Sequence, residues 1–321
     1  MSIKNFKIHN INPKENDKDI IKLLPTMLIP YEVSLELHDV NVAIANGIRR
    51  VMLSEIPVKA LKFRFNDFKT TDPFILVDFI LSRIRNIPIN QNIPINTILE
   101  LDVINNTEDV IHIKTKDLKI IKGSYSTHTD KKLPFNETYT IAMLNPNKSL
   151  KITNIYIKSN YGYKYGGYSV ACNARSIPID IEPYNSFTKE GVKSSVSDPK
   201  KFRLTWCSNG NMSANDIFKL SCDEIINRLN NIKTFIDSIE LHKDISILRI
   251  NKESDTIGNI LIKSICDDYP NISAATYNCN NVTHELIIRI RTNDNATDII
   301  NKTIDKNVKL LEKIKKLIII V

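Results

Sequence analysis

Asn46, Arg49 and Arg50 lie within about one helical turn of each other, with Glu55 and Pro57 just beyond them. A guanidinium presents its N–H donors as a flat fork, which suits carboxylates or main-chain carbonyls on a large partner. The same residues also suit an ordinary solvated helix face, and spacing alone leaves both readings open. Catalytic arrangements are harder to find. The tract GYKYGG at 162–167 lacks the Lys-Ser/Thr ending of a phosphate-cradling loop. There is no Gly-x-Ser-x-Gly elbow, and no Asp-x-Asp-x-Asp triplet to gather the divalent metal that nucleotidyl transfer needs. The histidines (8, 38, 112, 128, 242 and 284) are far apart in sequence, and Asp267–Asp268 reads as a helix end. The expectation is therefore no catalytic residue, no cofactor and no metal site.

Cysteines 172, 207, 222, 266 and 279 are odd in number and form no CxxC pair. That argues for reduced, mostly buried thiols rather than a disulfide framework or a zinc site. The opening MSIKNFKIHNINPKENDKD has no apolar stretch of the kind a signal peptide carries, and no run approaches the ~18 apolar residues of a membrane span. With 44 Lys and Arg against 36 Asp and Glu, the formal charge is +8. A basic surface suits nucleic acid or an acidic partner; scattered lysines also simply keep an Ile-rich fold soluble.

The elements that carry these residues follow from periodicity. Residues 1–25 read as a polar extension. Tyr31–Leu37 alternates as a strand, Asp39 is the expected N-cap, and VNVAIANGIRRVMLSEIP is helical, with Ile44, Ile48, Val51 and Met52 on one face and Pro57 ending the run. From about 60 to 175 short strands alternate with turns (ILELDVIN, VIHIKTKDL, YTIAML, LKITNIYIK), with one helix in FILVDFILSRIRN and a Tyr/Gly loop at 161–168. FRLTWC then leads to a long helix opened by the capping-box pair Ser213 and Asp216. That helix carries Phe218, Cys222, Ile225, Leu229, Ile232 and Ile236 at packing-seam spacing.

After Glu240 the order restarts: a strand at 244–250, a helix TIGNILIKSI expected to be capped by Asp255, a strand ELIIRIRT, and a last helix with Ile304, Val308, Leu311, Ile314 and Ile318 on one stripe. Two copies with exposed apolar seams would bury them against each other, a pseudo-two-fold dimer in one chain. Burial at ~1.5–3 kcal/mol per aliphatic side chain would dominate that pairing.

Residues 31–60 resemble the start of the alpha-type subunit of multisubunit DNA-dependent RNA polymerases, a group that includes the bacterial alpha amino-terminal domain, the archaeal D-type chain and the third subunit of RNA polymerase II. The matching signature is Ala45, Asn46, Arg49, Arg50, Glu55, Ile56 and Pro57. VDFILSRIRNIPI is similar to a second family segment through Asp78, Phe79, Ile80, Arg83 and Pro88, and KTKDL to a third. At 155–171 the family's Gly-x-Gly-x-x-His-x-x-Trp loop is degenerate: Gly162 and Val170 remain, but the His and Trp are Gly and Tyr. Glu253 to Leu261, with Tyr277, His284 and Leu286, resembles the small partner, the eleventh subunit or the archaeal L-type chain.

The resemblance covers roughly 27–321 and looks like the fused arrangement of large cytoplasmic DNA viruses. It implies an α+β fold with two alpha-type dimerisation halves paired in one chain, the first interrupted by a mostly β insert domain. The expected spans are 1–25 for the extension, 26–60 plus 176–240 for the first half, 61–175 for the insert and 241–321 for the second half. It implies a non-catalytic scaffold that brings together the largest and second-largest polymerase subunits and small subunits, inside the cell or, for a virus, in the virion and host cytoplasm. DNA would be met only through the complex, no membrane is involved, and an internal pseudo-dimer replaces a homodimer. The partner-binding residues so implied are Asn46, Arg49, Arg50, Glu55, Pro57, Asp78, Arg83, Thr256, Gly258 and Asn259. For Thr256 and Gly258, helix start and close packing respectively are the plain readings beside it. The alternative is a free-standing basic nucleic-acid-binding protein, which predicts steeply salt-dependent affinity for DNA.

Overall fold

The computed structural model describes residues 3–10, 31–123, 135, 138–180, 198–280, 282–283 and 285–317. In chain order the elements are β1 (Ile3–Asn10), β2 (Tyr31–His38), α1 (Val42–Arg50), β3 (Pro57–Lys62), β4 (Phe68–Thr70), α2 (Val77–Arg85) and β5 (Ile98–Ile104). Then come β6 (Ile111–Lys114), β7 (Leu118–Lys122), β8 (Thr140–Leu144), β9 (Ser149–Tyr161), β10 (Ala171–Pro178), β11 (Lys201–Ser208) and α3 (Ala214–Ile232). The remainder is β12 (Glu240–His242), β13 (Ile245–Asn251), α4 (Asp255–Asp268), β14 (Ala274–Asn280), β15 (Glu285–Arg291) and α5 (Ala296–Leu317).

The internal repeat is visible in the sheets. One antiparallel sheet runs β1-β2-β11-β10 and the other β12-β13-β15-β14, so each position in the first has its counterpart in the second. Each sheet carries a short helix after its second strand (α1, α4) and a long one after its last (α3, α5). A single apolar core joins the halves. It takes Leu35, Ile44, Ile48 and Trp206 from the first and Leu248, Ile257, Ile260 and Ile288 from the second.

The long helices form the seam. Phe218, Ile225, Leu229, Ile232 and Ile236 are buried in the first half, and Leu311 and Ile314 in the second. Val308 is half-buried. Ile318, expected on the same stripe, lies outside the described residues. Burying Ile225, Leu229, Ile232, Leu311 and Ile314 alone is worth on the order of 10 kcal/mol.

Helices α1 and α4 also approach each other closely. A Cβ on Gly47 would stand 2.7 Å from Ile260 Cδ1. One on Gly258 would stand 2.6 Å from Tyr277 Cδ2 on β14. Glycine at both positions lets α4 lie flat between α1 and β14.

The insert has its own core, built from Leu61, Phe63, Ile84, Leu99, Leu101, Ile152 and Ile155. Its sheet runs β3-β9-β5-β7 with β4 on β9, and β6 pairs with β8 alongside. β3 already belongs to this sheet from Pro57, and β10 is already back in the first half's sheet at Ala171. Both exchanges fall a few residues earlier than 61 and 175.

Four local expectations are corrected. Residues 3–10 of the polar extension form an edge strand, pairing from Ile3↔Leu37 to Asn10↔Tyr31. The cap of α1 is Asn41, whose side chain accepts from Ile44 N at 2.9 Å, while Asp39 sits in a left-handed turn at φ 58°. The cap of α4 is Ser254, not Asp255. Ser213 caps α3 as expected, accepting from Asp216 N at 3.1 Å. Two of the five cysteines, Cys207 and Cys222, are buried, fewer than anticipated; Cys172 and Cys266 are exposed.

Candidate partner-docking site

The basic end of α1 is built by a change of helical winding. After Arg50 the chain takes a π-helical turn through Val51–Glu55 before becoming extended at Ile56. Wider winding of this kind redirects side chains relative to a regular helix. Val51 and Met52 stay in the core while Glu55 turns toward the second half. Arg49 and Arg50 are left half-exposed on the outer side. Arg49 Nε donates to Asn46 Oδ1 at 2.8 Å, which fixes the guanidinium's direction. Burial, and then the neighbouring Arg50, lower its pKa from the ordinary arginine value. Arg50 Nε stands 3.8 Å from Glu55 Oε1, too far and too open to use up its donors.

Beneath this surface lies a buried ionic clasp. Arg228 of α3 pairs through Nη1 with Glu55. Its Nη2 donates to Glu253 Oε2 at 2.7 Å and to Ser254 Oγ at 2.8 Å, and its Nε donates to Glu253 Oε2 at 3.2 Å. Thr256 Oγ1 donates to Glu55 Oε1 at 2.7 Å. Side-chain exposure is 16% for Arg228, 12% for Glu55 and 4% for Glu253. Burial works against the Arg228 charge, but hydrogen bonds and charge from Glu253 and then Glu55 outweigh it and raise its pKa. Glu224 beside them is raised by burial, with Arg228 opposing and Glu253 and Glu55 reinforcing.

The expected residues therefore divide. Asn46, Arg49, Arg50 and Pro57 lie at the surface on α1 and the start of β3, with Asn259 half-buried on α4. Asp78 and Arg83 are exposed on α2, although Arg83 Nη1 also donates to Ile141 O at 3.1 Å. Glu55, Thr256 and Gly258 are instead spent inside the chain, on the clasp and the helix–strand contact. Their polar or small character is explained without an outside partner.

Sequence reasoning missed Arg228 altogether. Its partners are 173 and 25 residues away, and a lone arginine on a seam helix gives no periodic signal. It also missed the apolar strip at the start of α2, where Phe74, Leu76 and Phe79 are 83, 56 and 66% exposed. The run FILVDF reads as ordinary core.

The Tyr/Gly loop is pinned between the π turn and α2. Tyr163 N donates to Ser54 O at 3.1 Å. A Cβ on Gly162 would meet Ser54 Cα at 2.9 Å, and one on Gly167 would meet Arg85 O at 2.8 Å. Arg85 covers the Tyr165 ring at 4.6 Å. His284 lies outside the described residues. Among the described residues no group of three or more His, Cys, Asp or Glu could hold a metal, and no helix is long and apolar enough to cross a membrane.

Two copies of one strand–strand–helix–strand–strand–helix unit, sharing a core and clasped by a buried arginine, define a dimerisation module written as a single chain. Residues 34–229 and, separately, 246–317 match the RNA polymerase Rpb3/Rpb11 dimerisation domain. The chain belongs to that family. A DNA-directed RNA polymerase RPB3-11 homolog of African swine fever virus (isolate Tick/Malawi/Lil 20-1/1983) is 30% identical over 90% of this chain and 88% of its own length. The counterpart in isolate Warthog/Namibia/Wart80/1980 is 30% identical over 94% of this chain and 91% of its own length. The DNA-directed RNA polymerase subunit alpha of Staphylococcus epidermidis is 23% identical over 74% of this chain and 73% of its own.

Proposed function

We propose that this chain is a fused assembly subunit of a DNA-directed RNA polymerase, with catalysis residing in other subunits. The observation that carries this is the division of labour on α1. Its apolar face and Glu55 are consumed by pairing between the halves, while Arg49 is aimed outward by Asn46 with donors to spare. Because the seam is filled from within, a second copy has no apolar face there to occupy.

On this reading Asn46, Arg49, Arg50 and Pro57 dock the second-largest subunit, and Asp78 and Arg83 extend the contact on α2. The largest subunit and small subunits complete the assembly, DNA is met through the complex, and the setting is a virion and host cytoplasm, a reading that the viral relatives support. The test is to purify the tagged chain from its native source and identify co-purifying chains by mass spectrometry. Two much larger chains in equal amounts, with nucleotide-polymerising activity, are the expected result. Replacing Arg49→Ala with Arg50→Ala should lose those chains while circular dichroism and melting stay unchanged. A chain recovered alone, monomeric and bound to DNA would overturn the proposal.

A further inference from the structure

Sheet edges expose unpaired N–H and C=O groups and invite another strand, so proteins blunt them with lysine, proline, bulges or brevity. Most edges of this molecule are blunted in that way. β12 is only three residues long. β10 is broken by a register shift between Cys172 and Arg175, has Asn173 at φ 54°, and ends in Pro178. β1 shifts register between Lys4 and Lys7. In the insert, β3 begins at Pro57 and carries two lysines, and β7 carries Lys119 and Lys122 beside a register shift.

β14 has none of these devices. Its seven residues, AATYNCN, contain no charge and no proline, and they pair with β15 in unbroken register from Ala274↔Arg291 to Asn280↔Glu285. Among the described residues no strand pairs with its opposite edge, whereas the equivalent edge in the first half, β10, is bulged. Alternate residues Ala274, Thr276, Asn278 and Asn280 are exposed. The inward residues are locked: Tyr277 lies against Gly258, and Cys279 Sγ donates to Glu253 O at 3.6 Å. The strand is therefore held from its inner face, in unbroken register, and open along its outer edge among the described residues.

We infer that β14 is a strand-addition site for an extended, acid-bearing segment of a polymerase partner chain, an inference that rests on the assembly reading above. The occupant follows from position and charge. β14 packs on α4 and α4 packs on α1. Tyr277 of β14 lies against Gly258 of α4, Thr256 of α4 bonds Glu55, and Arg50 Nε stands 3.8 Å from that carboxylate, which sets Arg50 at the end of α4 that β14 covers. An acidic side chain on a strand added to β14 is matched by the remaining donors of Arg50, which select carboxylates. Main-chain pairing gives the affinity, and the arginine adds selectivity for an acidic segment.

The experiment is hydrogen exchange by mass spectrometry on peptides spanning 274–280, in the purified polymerase and in the free chain. In the polymerase the outward amides should exchange at least about tenfold more slowly, the change expected for a hydrogen bond worth one decade in an equilibrium. Ala275→Pro and Thr276→Pro, compared by the same assay, remove amides pointing to opposite sides. The one that spares β15 pairing should lower recovery of the partner without lowering the melting temperature. If the large chains co-purify and β14 exchanges equally fast in both samples, the strand-addition site is wrong while the assembly reading stands. If no large chains co-purify, the assembly reading itself has failed. Concentration-dependent protection in the free chain would overturn the proposal in favour of a second copy.

Discussion

Replacing Arg228→Met should expose how much of the pairing between halves rests on the clasp. Methionine nearly fills the volume of the arginine stem but leaves Glu55 and Glu253 facing each other at 12 and 4% exposure. Removing one partner from a buried ionic group typically costs about 3–5 kcal/mol, because the remaining charge stays desolvated. For a chain of this size that corresponds to a fall in melting temperature of roughly 5–15 °C. The defect has a pH signature. Glu224 already titrates above the usual carboxylate range because of burial, and Arg228 is the neighbour that opposes the rise.

A carboxyl with a raised folded-state pKa contributes stability at low pH and loses it as pH rises through that value. Taking Arg228 away moves Glu224 further up, so the loss should be smaller near pH 5 and larger near pH 8. Melting followed by circular dichroism across that range is the assay. Adding Glu55→Gln and Glu253→Gln to Arg228→Met should return part of the stability, since neutral amides tolerate the site better than unpaired charges. A variant that melts within about 2 °C of the parent at every pH would refute the clasp, because a solvated ion pair contributes only about 0–1 kcal/mol.

Leu229→Ala and Leu311→Ala each empty part of the shared seam and should cost about 2–5 kcal/mol in chemical denaturation, with a single transition because the core is common to both halves. Gly258→Ala pushes a methyl to 2.6 Å from Tyr277 Cδ2 and should cost about 1–3 kcal/mol, part of it recovered by Tyr277→Ala. The Cys222 thiol is fully enclosed and held well above the usual range by burial, so it should resist a thiol reagent until the chain unfolds, while Cys172 and Cys266 react at once.

Long periodic elements were legible before any coordinates. The stripe Phe218–Cys222–Ile225–Leu229–Ile232 is buried along its whole length, because 3.6-residue periodicity survives whatever the helix packs against. The repeat was legible for the same reason, and the arginine signature located α1. What escaped depends on three-dimensional neighbours. Asp39 and Asn41 are equally good caps by type, and only the left-handed turn at Asp39 decides between them. β1 is rich in polar residues and shows no strict alternation, so its pairing with β2 had no local signature. Glu55, Thr256 and Gly258 carry family-like character for reasons internal to the fold. A motif read in one dimension cannot separate residues that face a partner from residues that hold the facing surface in place.

Fusion of the halves changes what the seam must achieve. α3 passes through a 3-10 turn at Lys233–Ser238 directly into the β12–β13 hairpin, so the second half begins beside the first. A tether that short makes pairing intramolecular, at effective concentrations in the mM range, and affinity between the halves is no longer limiting. Selectivity still is, because two first halves present the same apolar seam and would form an isologous pair. The clasp resists that outcome. Arg228 and Glu55 both come from the first half, but Glu253, Ser254 and Thr256 all come from the second. Pairing two first halves would leave Arg228 with Glu55 alone, its Nε and Nη2 donors stripped of Glu253 and Ser254 and buried without partners, which low-dielectric interiors penalise. The buried charge thus discriminates between partners, while the aliphatic seam supplies most of the binding energy.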